Sequence, residues 1–326
     1  MTTARIPLRE GKMRLAFLWM KMADEPFTVL LTILSFLIKK ELGATNFQIS
    51  LLVAARPIVS FFSFYWGSNL MRRKTMLLTN LMSAWSLGRL PFLLAPVFQN
   101  VWYLIFCVAV YQFFYRAGTP ALMQMMKLTL EKEKRDKLFS LAIVVSFIEG
   151  ALLGFAISWV FQQNPTIWKF LFIPATLLSL SSLFLQRRID LPQMVDDAPK
   201  KEKKVNGFVQ PWIDSYKLLK RRPDFARFQI GFMFGGSGIM MMSTPLVVFC
   251  SDILRTSNSQ YTTARTILMG VGVTLSTFLW KRLLSRVSMN RMTTDVLYVF
   301  AAYAGAILMA QFNSYLLYAA FLIYGI

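Results

Sequence analysis

The feature that most constrains this chain is a series of long apolar runs, each close to the roughly 20 residues that an α-helix needs to cross a bilayer. The runs lie at roughly 15–38, 47–66, 75–97, 101–125, 138–161, 166–186, 228–250, 260–280 and 293–312, and a tenth begins near Ser314. Hydrophobic residues make up 56% of the 326, which is more apolar surface than one soluble core can bury. The sequence therefore predicts an all-α integral membrane protein.

Basic residues are distributed unevenly between the connecting segments. If the N-terminus is cytoplasmic, 27 of the 36 lysines and arginines fall in inner segments and four fall in outer loops. Under the positive-inside rule, this asymmetry predicts a cytoplasmic N-terminus and a cytoplasmic 187–227 loop. Because the formal charge of +20 is dispersed over several loops, we interpret it as an orientation signal and expect no nucleic-acid partner. We expect a multi-pass protein of a plasma membrane or a bacterial inner membrane.

The 187–227 connection divides the apolar runs into two groups. Residues 1–186 contain six runs and predict a six-helix bundle, and residues 228–326 predict a second, incomplete helix bundle. A weak internal repeat relates positions 64–66 to 278–280 and suggests that the two bundles are pseudo-symmetric. The connection carries a charged stretch, 200–204, and a segment, 212–220, whose spacing fits a short amphipathic helix. It is either a solvated linker or a surface that binds anionic headgroups.

Several residue types needed for catalysis are missing from the sequence. It contains no histidine, and its two cysteines, Cys107 and Cys250, lie inside apolar runs. No phosphate-binding P-loop is present, so an ATP-driven pump would need a separate motor subunit. We therefore expect neither an enzyme nor a bound cofactor or metal.

Two adjacent carboxylates lie deep within the first apolar run. A helix that began after Pro26 would be too short to cross, so it must begin near Leu15 and carry Asp24 and Glu25 to mid-membrane. A charge in that position costs at least about 2.5 kcal/mol, which makes it a functional hypothesis by default. Either carboxylate could exchange protons, or one could pair with Lys21 or an arginine and only stabilise the bundle.

Four more charges lie near the middle of their predicted helices. Arg56, Arg89 and Arg116 are interpreted as candidates for binding an anionic substrate, and Glu149 joins Asp24 and Glu25 as a candidate for proton coupling. An ion pair between Arg116 and Glu149 is the alternative, because a lone buried arginine would stay charged.

A glycine run in the seventh apolar segment is the main feature of the second group. Gly235, Gly236 and Gly238, together with Pro26 in the first segment, are candidates for helix bending. A plain packing seam is the alternative interpretation of the glycine run.

The segment after the second run carries residues of a known transporter motif. In Gly67-Ser68-Asn69-Leu70-Met71-Arg72, the glycine and the final arginine match a motif of the major facilitator superfamily, while Met71 replaces its aspartate. On the fourth run, the segment 115–118 is similar to the membrane-embedded arginine motif of that family. With six helices, a charged loop and a second group, the chain resembles a major facilitator transporter in which Gly67 and Arg72 would form the gating loop motif.

This resemblance implies two pseudo-symmetric bundles with about ten of an expected twelve transmembrane helices present, as in a C-terminally truncated chain. It also implies a monomeric secondary active transporter that moves a small organic solute across the bilayer by alternating access. The three arginines in the core of the first group, set against three carboxylates, suggest an anionic solute, and the buried carboxylates favour proton coupling as a symporter or antiporter. The alternative is a flippase or facilitator for lipids or glycan precursors that works without ion coupling.

Overall fold

The computed structural model describes residues 5–72, 74–191, 209–284 and 289–326, and the regular elements within these ranges are all helical. The α-helices are α1 Arg5–Leu42, α2 Asn46–Arg72, α3 Leu77–Arg89, α4 Val101–Thr129, α5 Lys132–Gln163, α6 Trp168–Gln186, α7 Gln210–Arg221, α8 Pro223–Val248, α9 Asn258–Thr262, α10 Met269–Leu284, α11 Met289–Met309 and α12 Tyr315–Tyr324. Three 3₁₀ turns, at Lys74–Met76, Leu90–Leu94 and Pro165–Ile167, and two π-helical segments, at Phe249–Ile253 and Thr263–Leu268, complete the list. The predicted all-α class is confirmed.

Four helical stretches within the described ranges are long and apolar enough to cross a membrane by length and composition alone. They are Val101–Thr129, Lys132–Gln163, Pro165–Gln186 and Pro223–Ile253. Helix α1 is longer, with 38 residues, but it carries three charges near its middle. It also runs without a break through Pro26.

Local sequence explains where several helices begin and end. Helix α1 stops at Gly43, which has a φ of 64° and so adopts the left-handed conformation that glycine tolerates. Asn100 caps α4 by accepting a hydrogen bond from the backbone N–H of Trp102 at 2.9 Å. The third apolar run changes from α-helix to a 3₁₀ turn after Arg89, because Pro91 cannot donate an α-helical hydrogen bond.

Helices α1 to α6 pack together and form what we call the first bundle. Within it, α1 packs against α5 and α6, and α4 packs against α2 and α3. Helices α8 to α12 and their π-helical segments form the second bundle, in which α12 packs against α10, α11 and the Thr263–Leu268 segment. The amphipathic helix α7 lies between them and contacts α2, where Trp212 Nε1 donates to the Tyr65 hydroxyl at 2.6 Å.

The two bundles meet along α1 and α5 of the first and the α9 to α10 region of the second. One core cluster of buried residues includes members of both bundles. In it, the rings of Phe36 and Tyr261 stack with centroids 4.0 Å apart. Residues that lie along this interface can therefore contact both bundles.

Some sequence predictions lie outside the described residues. The charged stretch 200–204 falls within the 192–208 gap. The backbone of Gly67 and Arg72 lies in the last turns of α2, but their surroundings are outside the described part of the structure.

Candidate functional site

Asp24 and Arg89 form a buried ion pair inside the first bundle. Arg89 Nε and Nη2 donate to Asp24 Oδ1 and Oδ2 at 2.8 and 2.7 Å, which is a bidentate arrangement. Arg89 Nη1 also donates to the carbonyl oxygen of Trp85 at 3.1 Å, and the Ser179 hydroxyl donates to Asp24 Oδ1 at 2.5 Å. The pair therefore connects α1, α3 and α6.

Aromatic rings surround the guanidinium of Arg89. Its Cζ lies 3.4 Å from the ring centre of Trp85, 5.3 Å from that of Tyr111 and 5.7 Å from that of Phe27. The side chain of Arg89 is only 1% exposed. Both charged groups are thus shielded from the interface between the bundles.

Glu25 faces a different environment from Asp24, because neighbouring residues on a helix point about 100° apart. It lines a cavity of about 90 Å³ between the bundles, together with Ser146 and Gly150 of α5 and Arg265 of the second bundle. A β-carbon built at Gly150 would lie 3.1 Å from Glu25 Oε1. The carboxylate of Glu25 therefore packs directly on α5, and it forms no ion pair with a described residue.

Glu149, the residue before Gly150, is half-buried on α5. Its Oε2 atom is buried and has no hydrogen-bond partner among the residues that the structure describes. Its carboxylate is close enough to Glu25 for the two charges to repel each other. The structure thus brings Glu25 and Glu149 together and separates Asp24 from them by pairing it with Arg89.

Arg56 and Arg116 are exposed on α2 and α4, which pack against each other. The two guanidinium groups are close enough to repel each other, and neither forms an ion pair with a described residue. Tyr115, next to Arg116, lines a cavity of about 300 Å³ inside the first bundle, which Lys21 also lines. Arg56 and Arg116 are thus exposed, whereas Arg89, which also lines this cavity, is only 1% exposed and is paired with Asp24.

Arg265 received no role from the sequence, although it is a charge within a predicted span. It lies in the π-helical segment Thr263–Leu268, where the backbone N–H of Met269 donates to the carbonyl oxygen of Ala264. Such segments widen the helix by one residue and often occur at functional sites. The signal that could have identified Arg265 was its isolation as the only basic residue predicted within the spans of the second group.

Polar contacts close one end of the interface between the bundles. Ser158 Oγ of α5 lies 2.6 Å from Ser259 Oγ and 2.9 Å from Thr263 Oγ1. On α1, Lys39 Nζ forms an ion pair with Asp252 at 3.2 Å. Three hydrogen bonds lie nearby, and they join Lys40 to Thr256, Glu41 to Asn258 and Gln162 to Ser259. We call this the closed end; it lies beside the C-termini of α1 and α5.

Toward the opposite end, the first half of α8 has few neighbours among the described residues. At the predicted bending positions Gly235, Gly236 and Gly238 of α8, an added β-carbon would meet nothing within 4 Å. Apolar side chains around this half of α8 are exposed, including Phe232 at 66% and Phe234 at 77%. In the described ranges, polar contacts therefore join the bundles at the closed end, and we call the less packed opposite end the open end.

No cluster of three or more histidine, cysteine, aspartate or glutamate side chains that could hold a metal ion occurs among the described residues. Cys107 and Cys250 are both buried and free.

Comparisons with known proteins identify the family. The family model "Major Facilitator Superfamily" matches residues 26–326. A search of curated protein sequences finds no match. Among solved structures, the nucleoside transporter NupG matches with a TM-score of 0.71 and 13% sequence identity, covering 97% of this chain and 78% of the other. A point mutant of NupG matches with a TM-score of 0.72 and 13% identity, covering 97% and 79%.

A bacterial homologue of the human lysosomal transporter Spinster, solved in an inward-facing and unoccupied conformation, matches with a TM-score of 0.64 and 11% identity. The match covers 97% of this chain and 73% of that one. At these identities the structural likeness shows a shared fold. The match of the family model over most of the chain shows the family, and this protein belongs to the Major Facilitator Superfamily as an integral, multi-pass membrane transporter.

Proposed function

We propose that this protein is a proton-coupled secondary transporter that moves a small organic anion by alternating access. The observation that carries the proposal is the pair of neighbouring carboxylates Glu25, which lines the interface cavity, and Glu149, neither of which forms a salt bridge with a described residue. An unpaired carboxylate in an apolar setting is easily protonated, because burial disfavours its charged form. Protonation there would change the charge of the surface along which the bundles must separate.

The other carboxylate candidate, Asp24, has a different position in the proposal. Its two oxygens accept hydrogen bonds from Arg89 and Ser179, so both are occupied by fixed donors of the first bundle. We therefore assign coupling to Glu25 and Glu149 and keep Asp24 and Arg89 as a pair that stabilises the first bundle.

The anionic character of the substrate is supported by the accessible arginines. Arg56 and Arg116 are exposed on helices of the first bundle, and they form no ion pair within the described ranges. Guanidinium groups bind carboxylates and phosphates with paired hydrogen bonds. Arg56 and Arg116 would attract such a solute into the open end.

The distribution of basic residues supports the orientation in the membrane. With the N-terminus and the 187–227 loop in the cytoplasm, the closed end would face outward and the open end inward. We propose that the protein works as a monomer in a plasma membrane or a bacterial inner membrane.

Uptake into proteoliposomes, measured with and without a proton gradient, tests the proposal. The solutes screened should include carboxylates, phosphorylated metabolites and nucleosides, the last because one similar structure is a nucleoside transporter. We expect uptake of an anion to depend on the gradient, and we expect Glu149→Gln and Glu25→Gln to remove that dependence.

The matched control is Glu133→Gln on the same helix. Glu133 is 81% exposed and pairs only with Lys137 among the described residues, so its substitution should leave coupling unchanged. Uptake that is equally fast without a gradient would contradict proton coupling and favour a facilitator or flippase. Gradient-dependent uptake that survives both glutamate substitutions would contradict the assignment of the residues.

A further inference from the structure

We infer that Arg265 and the tyrosines around it bind the charged group of the transported solute, and that this solute is a small organic anion with a planar ring. This inference rests on the proposed transport function and moves its binding site to the second bundle. Its starting point is the contrast between the charge of Arg265 and the absence of a carboxylate counter-ion among the described residues.

The guanidinium of Arg265 is incompletely bonded. Its Nε atom is buried and has no hydrogen-bond partner among the described residues, and no carboxylate in those ranges pairs with it. Arginine cannot lose its proton in a protein, so its positive charge remains. A buried charge without a counter-ion is costly, and a bound anion would remove that cost.

Cavities lie on both sides of Arg265. One cavity, of about 50 Å³, is lined by Arg265 and by several hydroxyl groups. Those hydroxyls belong to Thr32, Ser35, Ser243, Tyr261, Tyr303 and Tyr324. The second cavity, of about 90 Å³, contains Glu25 and shares Arg265 and Thr32 with the first. Carboxylate or phosphate oxygens in the first cavity could accept hydrogen bonds from both the guanidinium and the hydroxyls.

Aromatic side chains make a planar solute the best fit. Arg265 Cζ lies 4.9 Å from the ring centre of Tyr324 and 5.7 Å from that of Phe321, and these contacts orient the guanidinium. Phe300 and Tyr303 complete the aromatic wall of the smaller cavity. The cavity of about 50 Å³ has room for the anionic group but not for a ring, so a flat ring would stack on these side chains only once the bundles move apart there.

The π-helical segment that carries Arg265 packs closely against α5 at Gly154. A β-carbon at Gly154 would overlap Thr266 Oγ1 and lie 2.8 Å from Thr266 Cβ, so a larger residue there would displace the π-helical segment. The Arg265 cavities also lie beside the closed end, where Ser158 contacts Thr263 in the same segment. A solute that entered from the open end would therefore stop at Arg265, in contact with both bundles.

Calorimetric titration of the purified full chain with three probes tests this inference. The probes are benzoate, phenyl phosphate and the neutral analogue benzamide. A hydrogen bond to a charged group contributes about 1.5–3 kcal/mol, so we expect wild type to bind one or both anions at least about tenfold more tightly than benzamide. Arg265→Gln should remove that preference.

Two further variants make the result specific. Tyr303→Phe keeps the ring and removes a hydroxyl, so it should weaken anion binding by less than Arg265→Gln does. Arg291→Gln removes an equal charge from an exposed position and should retain the full preference. Wild type that fails to prefer either anion over benzamide, or a preference that survives Arg265→Gln, would overturn the inference.

Failure of the Arg265 anion site and failure of the proposed proton coupling give different experimental results. Anion binding that requires Arg265, with uptake that ignores the proton gradient, contradicts the coupling and leaves the anion site. Proton-coupled uptake that Arg265→Gln leaves unchanged contradicts the anion site and leaves the coupling.

Discussion

Each bundle contains a buried or partly buried arginine, and the two side chains differ in whether protein groups satisfy their charge. In the first bundle, Arg89 is 1% exposed, and it donates to both oxygens of Asp24 and to the Trp85 carbonyl. In the second, Arg265 contacts aromatic rings, lines two cavities and keeps a buried Nε without a partner among the described residues.

This difference separates a structural charge from a charge that can bind a ligand. A guanidinium that is paired bidentately with a fixed carboxylate is already neutralised and gains little from an external anion, and removing its partner would leave a bare charge in an apolar core. A guanidinium with an unbonded nitrogen beside a cavity can bind an external anion instead. Position in the membrane alone does not distinguish the two, since both lie within predicted spans.

The largest effect should come from breaking the pair in the first bundle. Arg89→Gln leaves Asp24 charged and buried with only Ser179 as a partner, so it should lower the free energy of unfolding by about 3–5 kcal/mol. Denaturation in detergent micelles measures the loss. The double variant Asp24→Asn with Arg89→Gln should recover part of it, and a single variant as stable as wild type would show that the pair is not structural.

A smaller effect should come from filling the contact between the bundles at Gly154. Gly154→Val would force Thr266 away, and this overpacking should lower the free energy of unfolding by about 1–3 kcal/mol. The matched control is Gly236→Ala in the open half of α8, where nothing lies within 4 Å of the new methyl group. This change should stabilise the helix by about 0.5–1 kcal/mol. If both substitutions changed the free energy of unfolding in the same direction, the contrast between the closed end and the open end would be wrong.

A loss of about 1 kcal/mol is expected from Ser158→Ala, because it removes hydrogen bonds to Ser259 and Thr263 at the closed end. In addition, a weaker closed end should make a single cysteine placed at Gln162 more reactive toward a membrane-impermeant maleimide. Ser140→Ala, which removes only an exposed contact to the Asp136 carbonyl, is the control. Unchanged labelling of the cysteine would indicate that these hydrogen bonds do not hold the end closed.

The smallest effect on stability should come from Arg265→Gln, in direct contrast with Arg89→Gln. Because no carboxylate among the described residues depends on Arg265, the substitution removes an uncompensated charge and should leave the free energy of unfolding unchanged or slightly raise it. The same denaturation experiment measures it. A loss as large as that for Arg89→Gln would mean that Arg265 has a structural partner and would remove the difference between the two arginines.

Sequence reasoning predicted the helical elements well and the pairing of their charges incompletely. The all-α class and the family followed from the lengths of the apolar runs, the charged connection and a few motif residues such as Gly67. The possibility that one carboxylate of the first run pairs with an arginine was also foreseen. It could not be decided which carboxylate does so, because Asp24 and Glu25 differ only by about 100° of rotation around α1.

Arg265 shows most clearly what could not be predicted from the sequence. Its position within an apolar run was visible, but the π-helical turn that carries it depends on contacts with α5 and α12, which are distant in sequence. The mutual proximity of Glu25 and Glu149, on helices far apart along the chain, has the same origin. Glu25 and Glu149 were candidates from the sequence and Arg265 was not, and the neighbours of all three were visible only in the structure.

The sequence by itself determined that this chain crosses a membrane repeatedly as α-helices, because a bilayer requires each apolar run to bond its own backbone. Only the tertiary structure decided which buried charges neutralise one another and which form no ion pair among the described residues. The physical reason is that membrane insertion depends on the residues within one helix, whereas the cost of a buried charge depends on the few ångströms between side chains of different helices.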